Sequence, residues 1–207
     1  MALETPHQHR LTLARRRRGA GILAFAVLAV GVLSAWGVAH GGEEDGSVES
    51  QATAPQGPPG STSQNGWAAV SDSSDVRLVS FPWVTGQVLD GDVTTVLAYF
   101  AGRFDAEVET IDVASSWGWA HRPVRGHDDT LSNHASGTAI DLNATIHPLG
   151  STGTFSDEQI ARLRDLLDEL APVLAWGGDF ERPDEMHFEV VGTPEQVAEV
   201  AARVAGT

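Results

Sequence analysis

Apolar and polar positions follow three different patterns along this chain. Gly19 to Ala39, GAGILAFAVLAVGVLSAWGVA, carries no charge and follows four consecutive arginines, Arg15 to Arg18. About 20 apolar residues suffice for a helix to cross a bilayer, and positive charge stays on the cytoplasmic side. The run therefore reads as a transmembrane anchor behind a short basic cytoplasmic tail, residues 1–18. A cleaved signal peptide, with a small-residue cleavage site at Gly37-Val38-Ala39, is the rival reading. Either one exports the remainder of the chain. Residues 40–66 are rich in Gly, Ser, Pro, Gln and acid, with Val48 the only large aliphatic side chain. Such a segment cannot bury enough surface to fold and is expected to be a flexible extracellular linker. The folded domain is expected over 67–207.

Within that domain the periodicity predicts three helices. Val93, Val96, Leu97, Phe100 and Phe104 recur at helical spacing over Asp92 to Asp105. A second helix starts at SDEQ, where Ser156 and Gln159 form a capping-box pattern, and Ile160, Leu163, Leu167, Leu170 and Leu174 make its stripe. The third starts at TPEQ, with Thr193 as cap, Pro194 in the first turn, Gln196 closing the box and Gly206 as its stop. Strands are predicted over Val108 to Ala114, Thr138 to Asn143 and Met186 to Val191. Helices and strands do not alternate regularly, so the fold class expected is α+β with a small antiparallel sheet and flanking helices.

Charge and composition narrow the function. The net charge of −15 divides into +4 over residues 1–40 and −19 over the rest. An acidic body of this kind excludes non-specific nucleic-acid binding, which needs basic surface. The chain has no cysteine, so disulfides and thiolate metal sites are excluded as well.

The chemistry concentrates in two short stretches. SNHASGTAID, Ser132 to Asp141, holds a nitrogen and an oxygen donor, His134 and Asp141, both suited to zinc. Gly137 lets the chain bend between them. DEMHFEV, Asp184 to Val190, supplies a third donor, His187, with Glu189 on the same strand face and Asp184 ahead of the strand. A catalytic zinc commonly takes three protein ligands and keeps a fourth position open. His134, Asp141 and His187 fill that requirement, which leaves Asp184 as a base, with Asp179 as its rival.

The two stretches together resemble the VanY-like zinc peptidases of bacterial cell walls, the D-alanyl-D-alanine carboxypeptidases and L-alanyl-D-glutamate endopeptidases. The family's first motif, Ser-x-His-x-x-Gly-x-Ala-x-Asp, is matched by Ser132, His134, Gly137, Ala139 and Asp141. Its second, an acid, two residues, then His-Phe-Glu, is matched by Asp184, His187, Phe188 and Glu189. WGWAHRP, Trp117 to Pro123, and WGGDF, Trp176 to Phe180, look like the segments that lead into the two motifs. Two spaced motifs in the right order are far more specific than one.

The resemblance implies a hedgehog/DD-peptidase-like fold, zinc held by His134, Asp141 and His187, and Asp184 as general base. It implies Arg122 as the arginine that polarises the substrate carbonyl, with Arg125 a close competitor. Ser132 reads as a substrate-contacting residue and not as an acylated nucleophile. The expected activity is D-alanyl-D-alanine carboxypeptidase on peptidoglycan stem peptides. The alternatives are the L-alanyl-D-glutamate endopeptidase of the same family, or a wall-binding module without turnover. The expected location is the cell membrane, single-pass with an extracellular catalytic domain, or secreted if the N-terminal segment is cleaved. His121 and His127 are expected as exposed loop residues, Asp128 and Asp129 as solvated turn residues, and His147 as a loop residue with no obvious partner.

Overall fold

The computed structural model describes residues 61–206. The basic tail, the apolar run 19–39 and residues 40–60 lie outside the described residues. Among the described residues no helix is long and apolar enough to cross a membrane.

The chain is already folded onto the domain before Trp67. Ser63 Oγ lies 2.7 Å from Ser136 Oγ, and the Asn65 side-chain amide donates to Thr138 Oγ1 and to the Val190 carbonyl, both at 2.8 Å. Residues 61–66, expected within the flexible linker, are thus part of the domain. Their own apolar content is low, and what holds them is hydrogen bonding to residues far away in sequence, which composition does not register.

The elements in chain order are β1 (Leu78–Ser80), β2 (Gln87–Leu89), α1 (Asp92–Glu107), β3 (Pro123–Val124), β4 (His127–Leu131), β5 (Ala139–Asp141), α2 (Asp157–Glu169), β6 (Leu174–Trp176), β7 (His187–Val190) and α3 (Pro194–Val204). Short 3-10 turns occupy Val113–Ser115, Asn133–Ser136 and Gly177–Asp179. All three predicted helices form. The Ser156/Gln159 and Thr193/Gln196 capping boxes are both closed, each satisfying otherwise orphaned N–H groups in the first turn. The stripe of the second helix is shorter than expected: α2 stops at Glu169, Leu166 replaces Leu174 on its buried face, and Leu174 begins β6.

Val108 to Ala114 is not a strand. The Ile111 N–H donates to Asp105 Oδ1 at 2.8 Å, and the Asp112 side chain accepts from Ala114 N to start a 3-10 turn. The backbone there is satisfied by side chains, so no neighbouring strand is needed. Asp128 and Asp129 lie in the exposed strand β4 and not in a turn.

The sheet that positions the site is antiparallel, in the order β5-β7-β6. Ile140, Phe188 and Trp176 are register partners across it, and so are Asp141 and His187. Because alternate residues point to opposite faces, one face carries Ile140, Phe188 and Trp176 and the other carries Asp141, His187 and Glu189. The first face is core. Phe188 lies 4.7 Å from Phe100 and 5.6 Å from Phe104, both on the buried stripe of α1. The second face is the one that carries chemistry.

Candidate metal and active site

His134 reaches that face from the 3-10 turn just before β5. The Ser132 side chain caps the turn by accepting from His134 N at 3.4 Å. Gly137 ends the turn with φ at +72°, and a Cβ there would sit 2.7 Å from Leu89 N, so the position suits only glycine. The loop after Ser116 closes over the other side. Trp117 and Asp141 exchange two backbone hydrogen bonds of 2.8 Å, and the neighbouring Gly118 carbonyl meets His134 Nδ1.

The histidine tautomers follow from their partners. His134 Nδ1 lies 2.8 Å from the Gly118 carbonyl, which can only accept, so that nitrogen holds the proton. His187 Nε2 lies 2.8 Å from Glu189 Oε2 and donates in the same way. Each ring therefore turns a lone pair inward. His134 Nε2 and His187 Nδ1 stand 3.2 Å apart, and they lie 3.1 and 2.9 Å from Asp141 Oδ1. In these neutral tautomers three electron-rich atoms converge with no donor among them, an arrangement that calls for a positive charge, a proton or a metal ion. All three residues are buried, and no other group of this kind occurs among the described residues.

Positive charge resolves that conflict: a bound cation supplies it, and without one a second proton on His187 does, as the titration of the residues shows. Burial works against a charged His187, but hydrogen bonds to Asp141 and Glu189 and the charges of both acids raise its pKa to about 10. Burial likewise works to raise Asp141, yet the charge of His134 and hydrogen bonds from His134 and His187 hold its carboxyl well below the usual carboxylate range. The donor set of two imidazoles and one carboxylate fits zinc. The outer nitrogens are held as ligating histidines require, one by a carbonyl and one by a carboxylate.

Asp184 lines the same cleft as His134 and His187. Its Oδ1 is buried and has no hydrogen-bond partner. Burial raises its pKa first, and the Asp141 charge adds to the rise against the opposing charges of His187, Arg125 and His134. The Asp184 backbone is held against Gly177. Asp184 N donates to the Gly177 carbonyl at 2.9 Å, and a Cβ on Gly177 would lie 2.5 Å from the Asp184 carbonyl oxygen and 3.0 Å from His187 Cβ. An unpartnered acceptor with raised proton affinity is what a general base needs.

The cleft has two lobes. The larger, about 320 Å³, is lined by Ser132, Phe180, Arg182 and Asp184 among others; the smaller, about 210 Å³, by Trp117, Gly118 and Asp141 among others. Arg122, Arg125 and His134 line both. Both candidate arginines thus line the cleft together with His134, and Arg125 also acts on Asp184 electrostatically. Ser132 opens on the larger lobe while its hydroxyl supports His134.

Other candidates fall elsewhere. Asp179 is engaged with Arg164, whose hydrogen bonds lower its pKa, so it is not a competing base. His147, expected without a partner, is buried: its ring bonds Thr154 Oγ1 at 2.6 Å and Glu109 Oε2 at 2.8 Å and stacks on Phe155 at 3.8 Å. Both partners are distant from it along the chain or across a loop, so no local pattern announces them. Trp176 belongs to the core, and its indole N–H donates to the Glu185 carbonyl at 2.8 Å. Trp117 is exposed at the smaller lobe. His121 is exposed, and His127 lies exposed on β4 at the edge of the larger lobe. Asn133, which sequence reasoning passed over, donates from Nδ2 to Glu189 Oε2 at 2.7 Å and so supports the His187 partner. Its only signal is its place beside His134.

A family model described as D-alanyl-D-alanine carboxypeptidase matches residues 125–190, a span that contains His134, Asp141, Asp184 and His187. This segment is therefore similar to the VanY-like peptidases, in agreement with the two motifs. Neither a curated protein nor a solved structure gives a significant match.

Proposed function

We propose that this protein is a zinc-dependent peptidase acting on peptidoglycan stem peptides, with D-alanyl-D-alanine carboxypeptidase activity. The observation that carries the reading is the inward convergence of His134 Nε2, Asp141 Oδ1 and His187 Nδ1, with both outer ring nitrogens already committed as donors. Those three residues would hold the metal. Zinc, when bound, supplies Lewis acidity that acidifies a water and polarises a carbonyl.

The chain's own residues account for the remaining needs of hydrolysis. Asp184 Oδ1 accepts a proton from the attacking water and returns it to the departing amine. Its burial and the nearby Asp141 charge raise its proton affinity, which favours the first transfer. Arg122 stands at the divide between the two lobes, where negative charge develops on the carbonyl oxygen, with Arg125 beside it. Ser132 contacts substrate from the floor of the larger lobe. No acylated serine is needed.

The lobe on each side of the divide also favours a second reading, L-alanyl-D-glutamate endopeptidase, because a chain continuing past the scissile bond in either direction has space to lie in. We place the activity outside the cytoplasmic membrane, tethered by the apolar run 19–39 or released from it. The test is incubation of the purified chain with defined stem peptides, with and without a chelator, read by mass spectrometry. Loss of one terminal residue supports the carboxypeptidase. Cleavage at the L-alanyl-D-glutamate bond supports the second reading. No cleavage of either kind leaves a wall-binding module and overturns the proposal.

A further inference from the structure

We propose that Asn65, in the segment leading into the domain, is a positioning residue of the metal site that acts through Asn133 and Glu189 on His187. This role rests on the metal proposed for His134, Asp141 and His187. Asn133 has a two-ended side chain. Its Oδ1 lies 2.9 Å from the Asn65 backbone nitrogen and its Nδ2 lies 2.7 Å from Glu189 Oε2. A backbone N–H can only donate, so it fixes which end of the Asn133 amide is oxygen. The other end must then donate to Glu189. Turning the amide over would set two donors against each other at Asn65 and two acceptors against each other at Glu189.

Glu189 Oε2 receives both the Asn133 amide and the His187 Nε2–H. That keeps the His187 proton on Nε2 and the lone pair of Nδ1 turned toward Asp141 and His134. Asn133 is 1 % exposed and Glu189 5 %, so water is not at hand to replace a lost partner. The relay thus begins at Asn65 and ends at the nitrogen offered to the metal.

Asn65 is itself held across the metal-bearing strands. Its Nδ2 donates to Thr138 Oγ1, at the entrance to β5, and to the Val190 carbonyl, at the end of β7, each at 2.8 Å. Its Oδ1 accepts from Ser63 Oγ at 2.6 Å. One side chain therefore ties together the strand that carries Asp141 and the strand that carries His187, and presents its own N–H to Asn133.

The test is a double-mutant cycle on zinc affinity, measured by chelator competition with the full-length chain in detergent. Asn65→Ala should weaken zinc binding by about tenfold, and Glu189→Gln by roughly ten- to a hundred-fold, as loss of groups behind a ligand typically does. The Gln amide can turn either end toward Asn133, so the orientation of Asn133 no longer dictates His187. The double variant should therefore bind zinc as Glu189→Gln does, within about twofold. Losses that multiply in the double variant, or wild-type affinity in Asn65→Ala, overturn the inference while leaving the metal site standing. An unsubstituted chain that binds no zinc overturns the metal reading itself. Asn65→Ser takes the place of Asn65→Ala in the cycle if the alanine variant does not fold.

Discussion

Asp141 and His187 are register partners on adjacent antiparallel strands, and their side chains meet at 2.9 Å on the face opposite the core. Strand pairing therefore sets how these two candidate ligands meet. A slip of one residue would turn either side chain into the apolar face. His134 is added from a turn that Ser132 caps and Gly137 ends.

The unsubstituted chain should carry about one zinc, by the three-ligand logic of catalytic sites. His134→Ala and His187→Ala should each lose most of it on dialysis. Elemental analysis of the purified proteins decides this, and full occupancy in both variants would remove these residues as ligands.

Asp184→Asn should keep zinc, because the three ligands are untouched, while turnover on stem peptides falls by about a hundred- to ten-thousand-fold. Asp141→Asn should differ by weakening zinc itself. Zinc content and turnover measured together separate the two roles. Equal zinc loss in both variants would make Asp184 a ligand.

Phe188→Ala should cost about 3–5 kcal/mol of stability, because the ring is fully buried against Phe100 and Phe104. Urea denaturation of the chelated protein measures it. A cost below about 1 kcal/mol would mean that this packing does not support the site.

The metal-free protein should lose stability as pH rises from about 6.5 through about 10. The His187 pKa is raised from 6.5 to about 10 on folding, so protonation of His187 contributes fully below the first value and is lost through the second. Asp141 acts oppositely: its pKa is depressed, so its contribution is present above the ordinary carboxylate range and is lost in acid. Chemical denaturation in chelator at a series of pH values should therefore show greater stability at neutral pH than at pH 10. His187→Gln should flatten the alkaline decline, and an unchanged decline in that variant would assign it to another group.

If the run 19–39 is an uncleaved anchor, the mature chain should begin near Met1 and sediment with membranes. An N-terminal sequence starting at His40 would instead establish a cleaved signal peptide and a released enzyme.

The helices and the residues that converge at the candidate metal site were legible in the sequence because their signals are local. A capping box spans a few residues, and an apolar stripe repeats each turn. The spacing of His134 and Asp141 about a glycine likewise needs no knowledge of the rest of the chain. Glu189 shows itself too, two residues from His187 on one strand face. The tertiary structure alone decided the rest. Leu174 continues the helical stripe of α2 in sequence yet pairs as a strand with Val190, because the helix ends first. His147 looks solitary until Glu109 and Thr154 are brought to it. Asn65 sits in a stretch whose composition predicts a linker, and only its bonds to Asn133, Thr138 and Val190 tie it to the sheet that carries Asp141 and His187. Hydrogen bonds between residues that far apart depend on where the whole chain has folded, and neither periodicity nor composition carries that information.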